Sequence, residues 1–200
     1  DILRREPDEI LRRFRAGGAG LILRWEAFLL AAILFLPVAV LLSVVLAAPP
    51  ALTALTIVVA TVAGVVQTLG LVRWPFAVPE LARRYAAAPE GPGGDATRAS
   101  VVTIFATLHR LLGVGIGEHL GYLFTGLWVL LVAASILAGA LVPSWIGVIG
   151  VPIGIALLVG TLEVVGPNEP EGWKLAGMIV PIAYIAWSLW LILIGVALLL

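Results

Sequence analysis

The stretch TLHRLLGVGIGEHLG, residues 107–121, holds both histidines of the chain and a series of glycines spaced four residues apart. Three of them, Gly113, Gly117 and Gly121, lie near one side of an α-helix and leave that side without bulky side chains. In membrane proteins such a small-residue stripe lets two helix backbones approach closely. We therefore predict that this stretch is the packing and polar centre of a bundle of helices.

The composition of the whole chain is that of an integral membrane protein. Of its 200 residues 62% are hydrophobic and 12% are charged, which excludes a soluble domain. Twelve basic and twelve acidic residues give a net charge of zero, so no overall positive field is available to bind nucleic acid. The absence of Cys removes thiolate ligands, thiol nucleophiles and disulfides. We expect an all-α protein whose main partner is the lipid bilayer.

Apolar runs predict a polytopic transmembrane bundle of five spans within residues 17–200. In the last run, Trp187 and Trp190 are expected to face lipid or the membrane interface rather than a cofactor site. The five runs are residues 21–48, 51–72, 118–138, 146–162 and 173–200.

The N-terminal segment, residues 1–16, has the pattern of a short amphipathic helix. Its apolar side consists of Ile10, Leu11 and Phe14. Such a helix is expected to lie at the membrane interface. A solvated charged tail is the alternative that the pattern leaves open. The glycine-rich run that follows, residues 17–20, predicts a hinge.

The helical pattern around the central stretch is too long for one membrane crossing. It runs from residue 97 to residue 138, and at about 1.5 Å per residue this is roughly twice the thickness of the membrane core. In one interpretation residues 97–112 form an amphipathic arm at the interface, and the protein has five spans. In the other the chain turns within residues 113–117 and gains a sixth span. The first is favoured because the second would place His109 and Arg110 in mid-bilayer, which is costly unless they are paired.

The basic residues predict the orientation. All twelve Lys and Arg fall before or at the start of the first span, between the second and third spans, or at the start of the last one. With five spans they all lie on one side, which the positive-inside rule makes cytoplasmic. We therefore expect a cytoplasmic N-terminus and a cytoplasmic loop at about residues 86–96. At the end of this loop Asp95 is expected to cap a helix that begins near Ala96.

The same orientation collects ionisable side chains at the cytoplasmic rim of the bundle. The outer half of the bundle has few polar side chains other than Ser and Thr hydroxyls. A transporter ordinarily needs polar groups at the membrane midplane and a pathway that opens to both sides of the membrane. The rim residues are Glu26, Arg73, Glu80, Arg110, Glu118, His119, Glu163 and Lys174. From this region we predict a binding site made of Arg73, His109, Arg110, Glu118, His119 and Glu163.

The two histidines are poorly spaced for one metal ion. His109 and His119 are ten residues apart, or about 15 Å along a straight α-helix, so we predict no metal site. No residue pattern identifies a cofactor. Glu118 and His119 are candidates for an acid and base pair in catalysis. The simpler alternative is an ion pair of Glu118 with Arg73 or Arg110 that holds the bundle mouth together.

Four runs of sequence resemble a known family, the DUF4386 group of uncharacterised bacterial integral membrane proteins. The resemblance covers most of the chain from Arg73 onward. It implies a helical inner-membrane protein and brings no established activity or site with it. The runs are RWPFAVPELARRY (73–85), TLHRLLGVGIGEHLGYLFTGLWVLL (107–131), LVPSWIGVIGVPIGIALLVGTLE (141–163) and VPIAYIAWSLWLILIGVALLL (180–200).

Three functions follow as hypotheses. The first is a non-catalytic bundle that binds a lipid-like molecule or a partner membrane protein, which includes a second copy of the chain. The second is a small transporter or channel, which a continuous water-accessible path would favour. The third is a membrane enzyme, which a closed pocket walled by Glu118, His119 and Arg73 would favour.

Overall fold

The computed structural model describes residues 4–168 and 171–200, and the regular elements in these two ranges are helical. The parts of the predictions that concern residues 1–3 and 169–170 lie outside the described residues. In chain order the elements are α1 (Pro7–Val45), α2 (Pro50–Leu71), α3 (Ala77–Ala87), α4 (Pro92–Leu108), a π-helical segment (His109–Leu120), α5 (Gly121–Ala138), α6 (Ser144–Gly160), a short 3-10 turn (Gly166–Asn168) and α7 (Lys174–Leu199).

Within residues 4–168 and 171–200, four stretches of helix are long and apolar enough to cross a membrane. α6 is also apolar but shorter, with 17 residues. At 1.5 Å per residue it is about 26 Å long, slightly less than the hydrocarbon core of a bilayer. The predicted all-α bundle with membrane-length helices is thus confirmed. The four stretches are Pro7–Val45, Pro50–Leu71, Pro92–Ala138 and Lys174–Leu199.

The helix that contains the central stretch is continuous. The chain does not turn within residues 113–117, contrary to the interpretation that would have added a sixth span there. In the π segment a backbone N–H reaches back five residues instead of four, as Gly121 does to the carbonyl of Ile116. The wider turn keeps the backbone hydrogen-bonded through a run of glycines, and an apolar environment requires this of a buried backbone.

The main core lies between α1, α2, α5, α6 and α7. Trp128 on α5 is fully buried, and its ring meets Phe35 of α1 edge-on with 5.1 Å between ring centroids. Trp190 is 2% exposed, and its indole N–H donates to the Ile146 carbonyl over 2.7 Å. Trp187 meets Phe35 at 5.4 Å. The expectation that Trp190 faces lipid is therefore wrong, because its N–H is satisfied inside the bundle.

A second apolar core holds the N-terminal part of α1 against α3 and α4. Ile10, Leu11 and Phe14, the predicted apolar side of this part, are at most 5% exposed. They pack around Trp74, whose ring stacks on Phe14 at 5.9 Å and on Trp25 at 4.5 Å. Their neighbours are protein side chains rather than lipid, because α3 and α4 present an apolar surface to them.

A kink in α1 separates this N-terminal part from the membrane-length part. It lies at Gly18, where φ is 54° and ψ is −153°. A positive φ is costly for residues with a Cβ and cheap for glycine. The hinge predicted for residues 17–20 is therefore located at Gly18.

The connection between α3 and α4 is shorter than predicted. α4 begins at Pro92 rather than near Ala96, and Asp95 lies in its first turn instead of capping it. The Asp95 carboxylate pairs with Arg98 over 2.9 Å. Proline is well suited to the first turn of a helix, because its missing N–H has no partner there in any case.

Candidate functional site

Glycines of the π segment bring its backbone against the end of α2. A Cβ added to Gly117 would lie 3.0 Å from Cα of Gly70, and one added to Gly70 would overlap Cα of Gly117. Backbone therefore meets backbone, and neither position has room for a side chain. One turn further along, a Cβ added to Gly121 would lie 3.7 Å from Cγ of Gln67. Both glycines thus face α2.

The third glycine of the stripe makes room for an arginine. A Cβ added to Gly113 would lie 2.5 Å from Nη2 of Arg73, which follows α2 in the chain. Arg73 is 6% exposed, and its Nη1 donates to the Gly70 carbonyl. Its guanidinium carbon lies 4.8 Å from the centre of the Trp74 ring. In this position the guanidinium lies against the Gly70 carbonyl, the face of the Trp74 ring and the helix surface at Gly113, which has no side chain.

Burial dominates the electrostatics of Arg73. Removal from water lowers the pKa of its guanidinium to about 10, and the charge of Glu118 partly offsets this decrease. The group is therefore charged at neutral pH. Within the described residues it forms no ion pair with an Asp or Glu, and its Nε–H has no acceptor. A buried charge without a paired counter-charge is costly unless something else compensates it.

Arg73 lines a cavity of about 490 Å³, which we call the aromatic cavity. Besides the hydroxyl and indole N–H groups of its aromatic residues, the polar residues of its wall are Gln67, Arg73, Glu118 and Ser188. Two wall residues, Phe28 on α1 and Ile185 on α7, are more than half exposed, so the cavity opens between these helices onto the apolar surface of the bundle. The aromatic residues of the wall are Trp25, Phe28, Trp74, Tyr122, Tyr184 and Trp187.

A second cavity of about 460 Å³, the ionic cavity, is lined mainly by the N-terminal residues, the π segment, and the connection between α6 and α7. Arg4 forms a salt bridge there with Glu163, whose side chain is 4% exposed. The backbone of Glu163 is also held, because its carbonyl accepts the N–H of Trp173 over 2.6 Å. The ionic cavity brings together four of the predicted binding residues: His109, Arg110, Glu118 and Glu163.

The two cavities share part of their walls. Glu118 and Tyr122, one turn apart on the same helix, line both of them. The carboxyl of Glu118 therefore lies between the buried Arg73 on one side and the ionic cavity on the other. The charges that act on it are those of Arg4, Arg73, Arg110 and Glu163.

Two predicted rim residues have other partners. The ring of His119 is bonded through Nδ1 to the Thr161 carbonyl over 2.8 Å, and since a carbonyl only accepts, Nδ1 carries the proton. Glu80 lies on α3 and accepts hydrogen bonds from Arg84 and Arg83, which lower the pKa of its carboxyl. Neither residue lines the aromatic or the ionic cavity.

Two further predicted rim residues, Lys174 and Glu26, line neither the aromatic nor the ionic cavity. Lys174 lines a third cavity of about 220 Å³ with Glu163, and Glu26 lines none of the three. His109, which lines the ionic cavity, stacks on Phe105 with 5.5 Å between ring centroids, whereas His119 contacts the Thr161 carbonyl. In the described part of the chain no three His, Cys, Asp or Glu side chains cluster as metal ligands would.

Three members of the site were not predicted from the sequence. Trp74 directly follows Arg73, and Tyr122 lies one turn after Glu118, so adjacency and helical spacing pointed to both. Arg4 gave no such signal, because nothing in the sequence relates it to Glu163 or distinguishes it from the other N-terminal arginines.

The comparison with known proteins identifies a family and no characterised relative. No curated protein and no solved structure matches the chain. The domain of unknown function DUF4386 matches residues 2–195, which extends the resemblance seen from residue 73 onward to α1 and α2 and to the walls of both cavities. The chain belongs to the DUF4386 family.

Proposed function

We propose that this protein binds an amphiphile, a molecule with an apolar body and a polar head, in the aromatic cavity. The observation that carries the proposal is the cavity itself, about 490 Å³ in volume, lined by six aromatic side chains and open between α1 and α7. Small-molecule sites are usually of this kind, with volumes of roughly 300–1,000 Å³, apolar walls and a few converging polar groups. Here Arg73 and Glu118 supply the charged groups.

The proposal includes a placement in the bacterial inner membrane with five spans. These are the part of α1 after Gly18 together with α2, α5, α6 and α7. With five spans every Lys and Arg falls on the cytoplasmic side, along with the N-terminal segment (residues 1–16) and the connection near residues 86–96. Both cavities then belong to the cytoplasmic half of the bundle 17–200, and an amphiphile enters from the inner leaflet.

Binding of a partner membrane protein through the glycine stripe has less support. Gly117 and Gly121 already face α2, so the stripe is used within the chain. Catalysis by an acid and base pair also has less support, because His119 is bonded to Thr161 while Glu118 faces the cavities.

Transport is the second candidate. It is favoured by one observation, the shared wall of the two cavities at Glu118 and Tyr122. The outer half of the bundle provides evidence against transport, because the hydroxyls of Ser43, Thr56 and Ser135 donate to carbonyls of their own helices. These groups are therefore not directed into a polar path.

Fluorescence quenching tests the binding proposal. Trp25, Trp74 and Trp187 line the cavity, so a brominated monoacylglycerol should quench them in a saturable way when added to the protein in non-ionic detergent. Ser188→Phe places a ring at the mouth of the cavity and should weaken this binding about tenfold, as expected when about 1.4 kcal/mol is lost.

The matched control is Leu189→Phe, since Leu189 is 62% exposed on the same helix and does not line the cavity. It should bind the probe as the wild type does. Quenching that never saturates, or that both variants change equally, would refute the proposed binding site.

A further inference from the structure

We propose that the aromatic cavity selects an acidic amphiphile, whose carboxylate or phosphate binds the guanidinium of Arg73 while its apolar chain lies among the aromatic rings. This inference rests on the proposed function. It adds the charge of the ligand's head and the residue that recognises it.

The state of Arg73 is the first argument. Its side chain is 6% exposed and charged, yet it has no carboxylate within ion-pair distance among the described residues. A guanidinium has five N–H donors. Nη1 uses one of them on the Gly70 carbonyl, and Nε–H has no acceptor in the described ranges. An anion in the cavity would supply the missing counter-charge.

The guanidinium is also held in place before any ligand arrives. Trp74 lies under it, and a side chain at position 113 would collide with Nη2, so Gly113 leaves the space that it occupies. Arg73, Trp74 and Gly113 all belong to the cavity wall. A fixed donor group binds a ligand better than a mobile one, because less side-chain entropy is lost on binding.

The local charge balance is the second argument. Glu118 lies on the same wall and would repel an anion, but it is surrounded by three arginines against one further carboxylate, Glu163. Three positive and two negative groups leave this region with one positive charge in excess. The three arginines are Arg4, Arg73 and Arg110.

A cationic amphiphile is the opposite possibility, since aromatic rings also attract cations. The cation would have to bind at Glu118. There it would meet the excess positive charge, and the Trp74 ring that it could use already carries Arg73. The charges and the aromatic contacts therefore favour an anion.

Three quenching probes that share the same dibrominated hydrocarbon chain decide between these cases. Their head groups are a carboxylate, a neutral glycerol ester and a primary amine. They are compared in non-ionic detergent at mildly alkaline pH, where the carboxylic acid is ionised. We expect the carboxylate to bind the wild type about tenfold or more tightly than the neutral ester, as a hydrogen bond to a charged group predicts. Arg73→Gln should abolish this preference, so that the variant binds the carboxylate no more tightly than the neutral ester.

Two further variants control the result. Arg73→Lys keeps the charge and should retain part of the preference, so it replaces Arg73→Gln as the test if that variant does not fold. Arg84→Gln removes an exposed arginine outside the cavity and should leave the preference for the carboxylate unchanged. A brominated phosphatidylglycerol, measured in parallel, distinguishes a membrane phospholipid from a free acid, and preferred binding of either anion supports the inference.

The outcomes separate this inference from the proposed function. If the wild type binds the neutral ester and the carboxylate equally, or prefers the amine, the selection for an anion is overturned while amphiphile binding stands. If none of the probes binds in a saturable way, the proposed function itself is overturned.

Discussion

One carboxylate joins the N-terminal residues to the far end of the chain. Glu163 is 3% exposed, and its partner Arg4 lies 159 positions earlier. The Arg4 side chain is 42% exposed, so solvent screens the pair and its own contribution is modest. Loss of Arg4 would nevertheless leave the buried Glu163 with less compensation for its charge. The salt bridge therefore matters chiefly because it offsets part of the free-energy cost of burying the Glu163 charge.

We predict that Arg4→Met lowers the stability of the protein by about 1–2 kcal/mol, a value reduced for the exposure of Arg4. In a Glu163→Gln background the same change should cost less, because glutamine leaves no unpaired charge. A double-mutant cycle of unfolding in detergent measures the difference. Arg15→Met, at an exposed position of α1, is the control. Equal losses in the two backgrounds would mean that Arg4 acts through contacts other than Glu163.

At the scale of elements, a pair of glycines sets the contact between α2 and the π segment. We predict that Gly70→Ala lowers stability by about 1–3 kcal/mol, because its Cβ would overlap backbone that cannot move aside without shifting a helix. Gly117→Leu should be more damaging. The measurement is the midpoint of thermal unfolding in detergent.

The control for this packing prediction is Gly195→Ala on α7, where an added Cβ meets nothing within 4 Å. Alanine favours the helix over glycine, so this variant should be at least as stable as the wild type. A Gly70→Ala protein that unfolds at the wild-type temperature would show that the two helices are not held at backbone contact.

The limits of sequence reasoning also appear at the scale of elements. A spacing of four residues indicates which glycines share a helix face, but it cannot name Gly70 as the residue across the contact. In the same way the apolar side of the N-terminal helix was predicted correctly, while its neighbours were not. Lipid tails and the side chains of α3 and α4 are equally apolar, so a periodic pattern does not distinguish them.

The parts of the site that could be predicted from the sequence are those whose residues lie close together along the chain. Arg110 and Glu118 lie on one continuous helix, no more than about 12 Å apart along its axis, and both line the ionic cavity. The separation of His119 from Glu118 depends on the carbonyl of Thr161, which comes from another part of the chain. A contact of this kind has no local signature, because any exposed carbonyl at the end of a helix can accept such a bond.

At the scale of the whole molecule, the distribution of charge predicts the topology. The chain lacks Cys, so single cysteines can report which face of the membrane each connection occupies. With five spans, Glu90→Cys and Val165→Cys should react with a membrane-impermeant maleimide from the cytoplasmic side, and Ala140→Cys from the outside. All three positions are exposed, so an unreactive cysteine would reflect the membrane barrier and not burial in the protein.

Right-side-out and inverted vesicles, labelled in parallel, separate five spans from six. A sixth span before α5 would exchange the sides of every later connection, so Val165→Cys would react only from outside and Ala140→Cys only from the cytoplasm. Glu90→Cys precedes that point and should react from the cytoplasm in either case, which makes it the internal control. Labelling of Val165→Cys from outside would also remove Glu163 from the cytoplasmic rim, and with it the proposed cytoplasmic position of the ionic cavity.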